Sequence, residues 1–294
     1  MTDSAQETAM LTIESVTGTN FAYHRVPLTR WLDDMVALER RELELWGIAQ
    51  HVDLLELTVS AVRKLKTELD ARGLRVACVT PEQIMYPVNF ASTDTAIIAR
   101  TQRMFTNASE LCAELGGDLV FLTPGWGWEG EPVHEAQQRA AAQLHGIAEH
   151  AAGLGLRCVL EALQRHESNL GVGIEQLSAV LDAVDSPALG VALDTVAMAT
   201  SGEGIDDYFS RFGERVWHVH LVDGSPGGHR AWGDGDLPLV DYLTALRAAG
   251  YEGLLTPELF GAPYIYDPTA AHAANLASTR RAFERVDARA ADIR

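Results

Sequence analysis

Four side chains that can bind a divalent cation recur at the ends of four consecutive β-rich segments. Glu161 ends the segment LRCVLE, and Asp194 ends LGVALD. His220 lies near the end of VWHVHLVD, and Glu258 ends GLLTPE. Three carboxylates that converge repel one another and raise their pKa values, and a cation removes that repulsion. Oxygen ligands with one imidazole suit a single Mn²⁺, our expectation, or Mg²⁺, Co²⁺, Zn²⁺ or Fe²⁺.

These segments belong to a longer alternation of short β-rich runs and longer helical runs. We predict eight strands, at residues 11–16, 42–46, 74–80, 118–123, 156–161, 189–194, 216–222 and 253–258. The predicted helices cover residues 28–39, 53–72, 92–115, 131–153, 172–184, 204–213, 238–249 and 268–289. Eight units of about 35 residues each predict an α/β fold, a (β/α)8 TIM barrel.

The predicted barrel is a single domain over residues 1–294, with a flexible N-terminus over residues 1–10. A doubly wound sheet is the competing fold, but its GxGxxG fingerprint does not follow the first predicted strand. Catalytic groups of a parallel barrel lie at the C-terminal ends of its strands. The four candidate ligands are therefore expected at one rim.

Charge and composition exclude several classes of protein. The formal net charge is −18 and no cluster of Lys and Arg offsets it, so we expect no nucleic-acid partner. No apolar run approaches the ~18 to 20 residues of a membrane span, and MTDSAQETAM lacks the features of a signal peptide. The sparse cysteines Cys78, Cys112 and Cys158 fit a reducing environment. We therefore expect a cytoplasmic protein with no membrane partner.

The motifs VLEALQRHE, ALDT, HVHLVDG and GYEGLLTPELF occur in this order along the chain. With them the chain resembles the xylose-isomerase-like barrel superfamily, which holds sugar isomerases, ketose 3-epimerases and endonuclease IV. The resemblance spans most of the chain and is strongest over residues 156–260. It implies that Glu161, Asp194, His220 and Glu258 bind the metal.

The ketose 3-epimerase branch implies further substrate contacts. Its second acid, six residues after the ligand of the fifth strand, corresponds to Glu167, and Arg165 lies beside it. Arg230 is the candidate for an arginine that contacts sugar in that branch. A histidine of that branch, three residues after the aspartate of the sixth strand, is replaced here by Ala197.

Other candidates lie in the predicted loops at the mouth. His51 is either a substrate contact or a capping or solvated histidine. Trp126 and Trp128, in the loop TPGWGWEGEP, form either a stacking wall for a ring or the packing of a lid. We predict that this loop is mobile and that TPEQIMYPVN is a second mouth loop.

His218 lies two residues before His220, so both side chains point into the predicted barrel. We expect His218 to support a metal ligand rather than to bind the metal. Asp223 and His229 are candidates to orient the loop or the substrate.

Two chemistries use this metal set. In the first, a sugar isomerase or epimerase, Glu161 and Glu258 exchange a proton next to a carbonyl, and the metal stabilises the enediolate. The second resembles the large subunits of C-glycoside deglycosidases, lyases that cleave 3-oxo-C-glycosides by β-elimination with a small β-subunit. The tryptophans and Ala197 fit the second.

We expect a small sugar or glycoside substrate in either case, and an oligomer. An endonuclease IV-like enzyme would need more histidines and a basic face. A non-enzymatic sugar-binding barrel would be expected to lose the ligand set.

Overall fold

The computed structural model describes residues 10–84 and 87–292. Within them, eight parallel strands neighbour one another in chain order. The strands are β1 (Gly18–Thr19), β2 (Glu42–Gly47), β3 (Arg75–Pro81), β4 (Leu119–Leu122), β5 (Arg157–Glu161), β6 (Leu189–Asp194), β7 (Val216–His220) and β8 (Leu255–Thr256). This arrangement confirms the predicted TIM barrel.

Helices follow the strands around the outside of the barrel. In the described part of the chain they are α1 (Leu28–Ala37), α2 (Val59–Asp70), α3 (Thr95–Leu115), α4 (Val133–Gly153), α5 (Gly173–Val184), α6 (Thr195–Thr200), α7 (Ile205–Phe212), α8 (Leu239–Ala248) and α9 (Pro268–Asp292). Their ends follow local signals. Asp94 caps the first turn of α3 through the amides of Ala96 and Ile97, and Gly116 ends α3 at a φ of 76°.

The first strand is shorter and later than its predicted range of 11–16. A 3-10 helix, Ile13–Ser15, occupies half of that range. The side chain of Thr12 accepts a hydrogen bond from the amide of Glu14, and the Ser15 hydroxyl accepts one from the amide of Thr12. Such local bonds compete with a strand ladder. The barrel closes instead where Val16 bridges Leu255 in parallel.

Two of the hydrophobic clusters among the described residues form the body of the barrel. The larger lies between the strands and the surrounding helices. The smaller fills the interior of the barrel and consists of Cys78, Leu119, Phe121, Val159 and Ala192. Because successive side chains of a strand point to opposite faces, residues two positions further along these strands continue the interior toward the C-terminal rim. The interior core is therefore the floor beneath that rim.

The described residues begin at Met10, so the predicted flexible N-terminus lies outside them except for that residue. Met85 and Tyr86 of the loop TPEQIMYPVN also lie outside them. No helix in the described ranges has the length and apolar character needed to cross a membrane.

A buried histidine predicts how the stability of the fold changes with pH. His272 of α9 is 2% exposed, and its ring lies 5.6 Å from the ring of Tyr23. Burial lowers the pKa of His272 from 6.5 to about 4, against a smaller opposing effect of Asp34. Below pH 6.5 the unfolded chain therefore binds a proton that the folded chain refuses, and stability falls as the pH drops toward 4.

In the wild type, this effect should lower the free energy of unfolding by up to about 3 kcal/mol between pH 7.5 and pH 4, since one pKa unit corresponds to about 1.4 kcal/mol. We expect His272→Gln to lack this decrease. Urea unfolding at several pH values measures it. The exposed His134 provides the control variant His134→Gln, which should follow the wild type. Identical pH profiles for wild type and His272→Gln would contradict the prediction.

Candidate metal centre and substrate cavity

The four predicted ligands come together at the C-terminal rim of the barrel. One ligand atom from each of Glu161, Asp194, His220 and Glu258 lies within 4.8 Å of every other. Glu161, Asp194 and His220 are the last residues of β5, β6 and β7, and Glu258 follows β8 by two residues. Glu161, Asp194 and His220 are buried, and the side chain of Glu258 is 18% exposed. The geometry matches the site that the strand ends predicted.

The facing atoms of this cluster are close together without being hydrogen-bonded. His220 Nδ1 lies 2.9 Å from Glu161 Oε1 and 2.9 Å from Glu258 Oε2. Yet Nδ1, Glu161 Oε1 and Asp194 Oδ2 are all buried without a hydrogen-bond partner among the described residues. Buried polar atoms are normally satisfied. Oxygens and an imidazole nitrogen that converge in this way fit a divalent cation.

Asp194 is oriented by the helix that it begins. Its Oδ1 accepts hydrogen bonds from the amides of Val196, at 2.8 Å, and Ala197, at 2.6 Å. These amides are free because they belong to the first turn of α6. The cap fixes the carboxylate and leaves Oδ2 directed at the cluster.

Glu44 of β2 orients His220 from the other side, and the sequence analysis missed it. Its Oε1 lies 3.0 Å from His220 Nε2, which donates the hydrogen bond. With the proton on Nε2, the lone pair of Nδ1 faces Glu161 and Glu258. A carboxylate behind a ligating histidine commonly fixes its tautomer in this way. Glu44 lies in ELELWG, where glutamate and leucine alternate. This alternation is typical of a strand with one face in solvent, so the pattern did not indicate that Glu44 is buried.

Glu44 itself is fully buried within a polar network. Thr80 Oγ1 donates to its Oε1 at 2.6 Å, and His218 Nε2 donates to its Oε2 at 2.6 Å. The predicted supporting histidine His218 thus contacts Glu44. Cys78 lies near this pair. However, a cation with bonds of about 2 Å would hold oxygen and nitrogen further apart than 2.6 Å, so we interpret the group as a hydrogen-bond network.

Charge explains the protonation of the cluster. Burial lowers the pKa of His220, but Glu44, Glu161 and Glu258 together raise it well above the usual value. Burial raises the pKa of Glu161 to about 8, an effect that His220 opposes and that Glu258 and Asp194 reinforce. Burial also tends to raise the pKa of Glu44, but His220 and His218 lower it well below the usual value. The carboxylates of Glu161, Asp194 and Glu258 thus repel one another, and a cation would relieve that repulsion.

An open cavity of about 150 Å³ lies over the cluster. Its polar lining includes Glu161, Glu167, His220, His229 and Glu258. Its apolar lining includes Phe21, Trp46, Phe121, Leu163 and Phe260. The ring of Phe121 stacks on His220 at 4.5 Å, and Phe21 stacks on Trp46 at 5.0 Å. The cavity therefore combines one polar wall with an aromatic one, as in many sites for small polar molecules.

Glu167 and His229 are the lining residues next to the four ligands. Glu167 Oε2 accepts a hydrogen bond from the amide of Gln164 at 3.0 Å. His229 Nε2 lies 3.7 Å from Glu258 Oε2 and 3.9 Å from Asp194 Oδ2, beyond hydrogen-bond distance. His229 had been a candidate to orient the loop or the substrate, and its ring faces the cavity.

Four predicted substrate residues are absent from the lining of this cavity, namely His51, Arg230, Arg165 and Trp126. Both ring nitrogens of His51 are used, since Nδ1 accepts from Asn20 Nδ2 at 2.8 Å and Nε2 donates to the carbonyl of Val26 at 2.8 Å. Arg230 Nη1 donates within its own loop, to Asp234 O at 3.0 Å.

The third is Arg165, which forms an exposed ion pair with Glu129. It lies in a neighbouring groove together with the fourth, Trp126.

Loop contacts place His229 rather than Arg230 over the ligands. Asp223 accepts hydrogen bonds from the amides of Gly233, Gly235 and Leu237, each at 2.9 to 3.0 Å. It thereby folds the loop after β7 back on itself. The conformation of this loop depends on hydrogen bonds from its backbone amides. The spacing between the seventh strand and Arg230 therefore could not predict it.

Comparison with known proteins agrees with this architecture. A fructoselysine 3-epimerase from Escherichia coli O157:H7 is 26% identical over 239 residues, which cover 81% of this chain and 87% of the relative. An L-ribulose 3-epimerase from Methylomonas sp. (strain DH-1) is 30% identical over 183 residues, 60% of this chain and 62% of the relative. A solved L-ribulose 3-epimerase superposes with a TM-score of 0.77 at 21% identity, covering 95% of this chain and 97% of that one.

The model of one protein family matches residues 39–282, a range that contains all four converging ligands and both cavity residues beside them. The chain therefore belongs to the xylose isomerase-like TIM barrel family.

Proposed function

We propose that this chain is a divalent-metal-dependent sugar isomerase or epimerase that moves a proton next to a carbonyl. The observation that supports this most directly is the convergence of Glu161, Asp194, His220 and Glu258, with three of their facing atoms buried and unpaired. The names of the relatives, fructoselysine 3-epimerase and L-ribulose 3-epimerase, support a keto sugar as the substrate class.

These four residues would hold the cation, with Mn²⁺ as our first choice. When bound, a divalent cation draws electron density from the oxygens of a hydroxy-ketone and so acidifies the neighbouring C–H bond. Asp194 commits Oδ1 to its helix cap and would give Oδ2 to the cation, so neither oxygen would remain for proton transfer. We therefore assign it to binding alone.

Glu161 and Glu258 would perform the proton transfer. They come from β5 and from the residues after β8, three strands apart around the ring, so they approach the cavity from different sides. One carboxylate removes the proton from the carbon next to the carbonyl, and the electron pair moves toward the carbonyl oxygen. The other group, protonated at the start as a carboxylic acid, gives its proton to the opposite face and becomes a carboxylate, which inverts the carbon.

Glu167 and His229 would position the sugar. Both line the cavity, and the gaps of 3.7 Å and 3.9 Å between His229 and the ligand carboxylates leave its Nε2 without a hydrogen-bond partner there. A sugar hydroxyl is a suitable partner for this nitrogen and for the carboxylate of Glu167. The aromatic wall of Phe21 and Trp46 would cover the apolar C–H face of the ring.

Cleavage of a 3-oxo-C-glycoside by a lyase is the second candidate. It would use the same proton abstraction, followed by expulsion of the carbon-linked aromatic group. The half-exposed Trp126 and the exposed Trp128, next to the cavity, favour this alternative because they offer rings to an aromatic group. It would also require a small partner subunit, and an oligomer remains our expectation for either function.

Incubation of the Mn²⁺-loaded chain with ketoses and, separately, with 3-oxo-C-glucosides distinguishes the two candidates. Epimerised or isomerised ketose formed by the chain alone supports the first. Release of the aglycone only when a co-encoded small protein is added supports the second. Neither reaction in either arm would contradict both.

Glu258→Gln should abolish proton transfer with little change in shape. We expect turnover to fall by roughly 10²- to 10⁴-fold, the usual contribution of a general acid or base, and metal to bind more weakly. Steady-state kinetics and a Mn²⁺ titration measure the two effects, and a thermal unfolding midpoint checks the fold. The exposed Glu252 gives the matched control Glu252→Gln, which should behave as wild type. Full activity of Glu258→Gln would disprove the acid–base role.

Glu44→Gln should weaken metal binding, although Glu44 does not face the cation. Removing the charge behind His220 loosens the tautomer that presents Nδ1, and such changes cost about 10- to 100-fold in metal affinity. Calorimetric titration with Mn²⁺, and the rise of the unfolding midpoint on metal addition, measure the loss independently of turnover. Glu56→Gln, at an exposed position after the same strand, is the control. An unchanged Mn²⁺ affinity in Glu44→Gln would contradict this role of Glu44.

A further inference from the structure

The loop after β4 that carries Trp126 and Trp128 is held in place by side chains from two other loops. Asn89 pairs with both backbone groups of Trp126, accepting from its amide at 3.1 Å and donating to its carbonyl at 2.8 Å. Asn169 pairs in the same way with Gly127, at 2.8 Å and 3.0 Å. The sequence predicted a mobile loop. Instead, these two pairs of bonds satisfy the backbone N–H and C=O groups of two successive residues, as pairing with a neighbouring strand would.

Additional bonds flank the two pairs. Glu131 Oε1 accepts from the amide of Trp128 at 2.6 Å, and Ser168 Oγ donates to the carbonyl of Gly125 at 2.6 Å. The backbone from residue 125 to residue 128 is therefore tied at every residue. Yet it presents two large aromatic side chains to solvent.

The exposed tryptophans form one wall of a groove. Trp126 is 38% and Trp128 66% exposed, and their rings meet edge to face at 5.2 Å. A held backbone that displays exposed aromatic rings is typical of a preorganised binding surface rather than of a packed lid. The rings would otherwise lower their free energy by folding onto the protein.

This groove is continuous with the cavity over the candidate metal centre. Ile84 and Glu167 line both. A molecule whose sugar lies over the four ligands can therefore extend past Glu167 onto the tryptophans. The continuity favours a part of the substrate, rather than a separate partner, as the occupant.

The far side of the groove is polar. Arg165 Nη2 lies 2.8 Å and 2.9 Å from the two carboxylate oxygens of Glu129. Both side chains are mostly exposed, so each keeps sites for further hydrogen bonds. Aromatic rings on one side with donors and acceptors on the other suit a flat ring that carries hydroxyl groups.

We propose that this groove is a second subsite, which binds a hydroxylated ring attached to the sugar that reacts. The proposal rests on the proposed function for the sugar in the first cavity. It makes the preferred substrate a ring-bearing keto sugar rather than a free monosaccharide. The ring is either a second sugar or a phenolic ring, which share the flat shape and the hydroxyl groups.

Affinities for three ketoses test the subsite without requiring turnover. The Mn²⁺-loaded wild type and its Trp128→Ala variant are titrated with D-fructose, with lactulose, which adds a sugar ring, and with a fructose derivative carrying a hydroxyphenylamino group at carbon 1. Ligand-detected NMR suits the weak affinities of sugars. Leu154→Ala removes another exposed apolar side chain, which lies before β5 at the opposite end of the barrel, and serves as the control.

We expect at least one ring-bearing ketose to bind the wild type about tenfold more tightly than fructose, and Trp128→Ala to lose that advantage. The Kd for fructose should change less than about twofold in Trp128→Ala, and Leu154→Ala should match the wild type. The tighter of the two ring-bearing ligands identifies the ring as a sugar or a phenol.

Equal affinity of the wild type for all three ketoses would overturn the subsite, and so would an unchanged preference in Trp128→Ala. Dissociation of an oligomer by Trp128→Ala, seen by sedimentation with all ligand affinities unchanged, would instead assign the tryptophans to a subunit contact. Failure of the proposed function is a different result: no ketose is converted, while the difference in affinity remains.

Discussion

The concentration of buried negative charge around one imidazole is the constraint on which this structure depends. His220 lies within 3.0 Å of oxygens from Glu44, Glu161 and Glu258, at a rim where its own exposure is 1%. Carboxylates are not gathered in a buried place without a positive partner, because the desolvation and the mutual repulsion are both unfavourable. A proton on His220 supplies part of that charge, and a divalent cation among the facing atoms would supply more. The two compete for the same nitrogen lone pair.

The closed barrel makes this arrangement possible. Parallel strands in sequential order bring the ends of β5, β6 and β7 together, so residues far apart in the chain meet without any long loop. The apolar floor of the barrel lies beneath them, and Phe121, stacked on His220, covers one face of the imidazole ring. A low local polarity strengthens every charge interaction above that floor. The rigid frame thus sets both the distances and the strength of the electrostatics.

Sequence analysis predicted those parts of the site that strand ends determine. Glu161 and Asp194 end short apolar runs, and the position of a strand end is visible in a sequence. Glu44 could not be recognised in the same way, because its partners His218 and His220 follow it by more than 170 residues. His51 shows a second limit of sequence patterns, because the hydrogen bonds from its ring to Asn20 and Val26 are not visible in a pattern.

The conformations of the loops could not be predicted from sequence patterns. The sequence TPGWGWEGEP is rich in glycine, which favours mobility when the segment is considered alone. The bonds that hold it come from Asn89 and Asn169, which lie 37 and 42 residues away in the chain. The same limit applied to Arg165, which pairs with Glu129 of that loop instead of reaching into the cavity. The first strand was predicted too early for a different reason, because local hydrogen bonds of Thr12 and Ser15 form a 3-10 helix where a strand was expected.

This division between strand ends and loops bears on specificity. Four ligands on strand ends give a centre that can polarise many hydroxy-ketones, and so they carry little information about which sugar reacts. Selection must then come from side chains that do not touch the reacting carbon: Glu167, His229 and the aromatic residues of the mouth. Glu167 and His229 lie on loops, and loops at this rim are fixed by single buried side chains such as Asn89 and Asp223. A change at one of these supports would shift several contacts at once, so substrate preference can change while the chemistry of the centre stays the same.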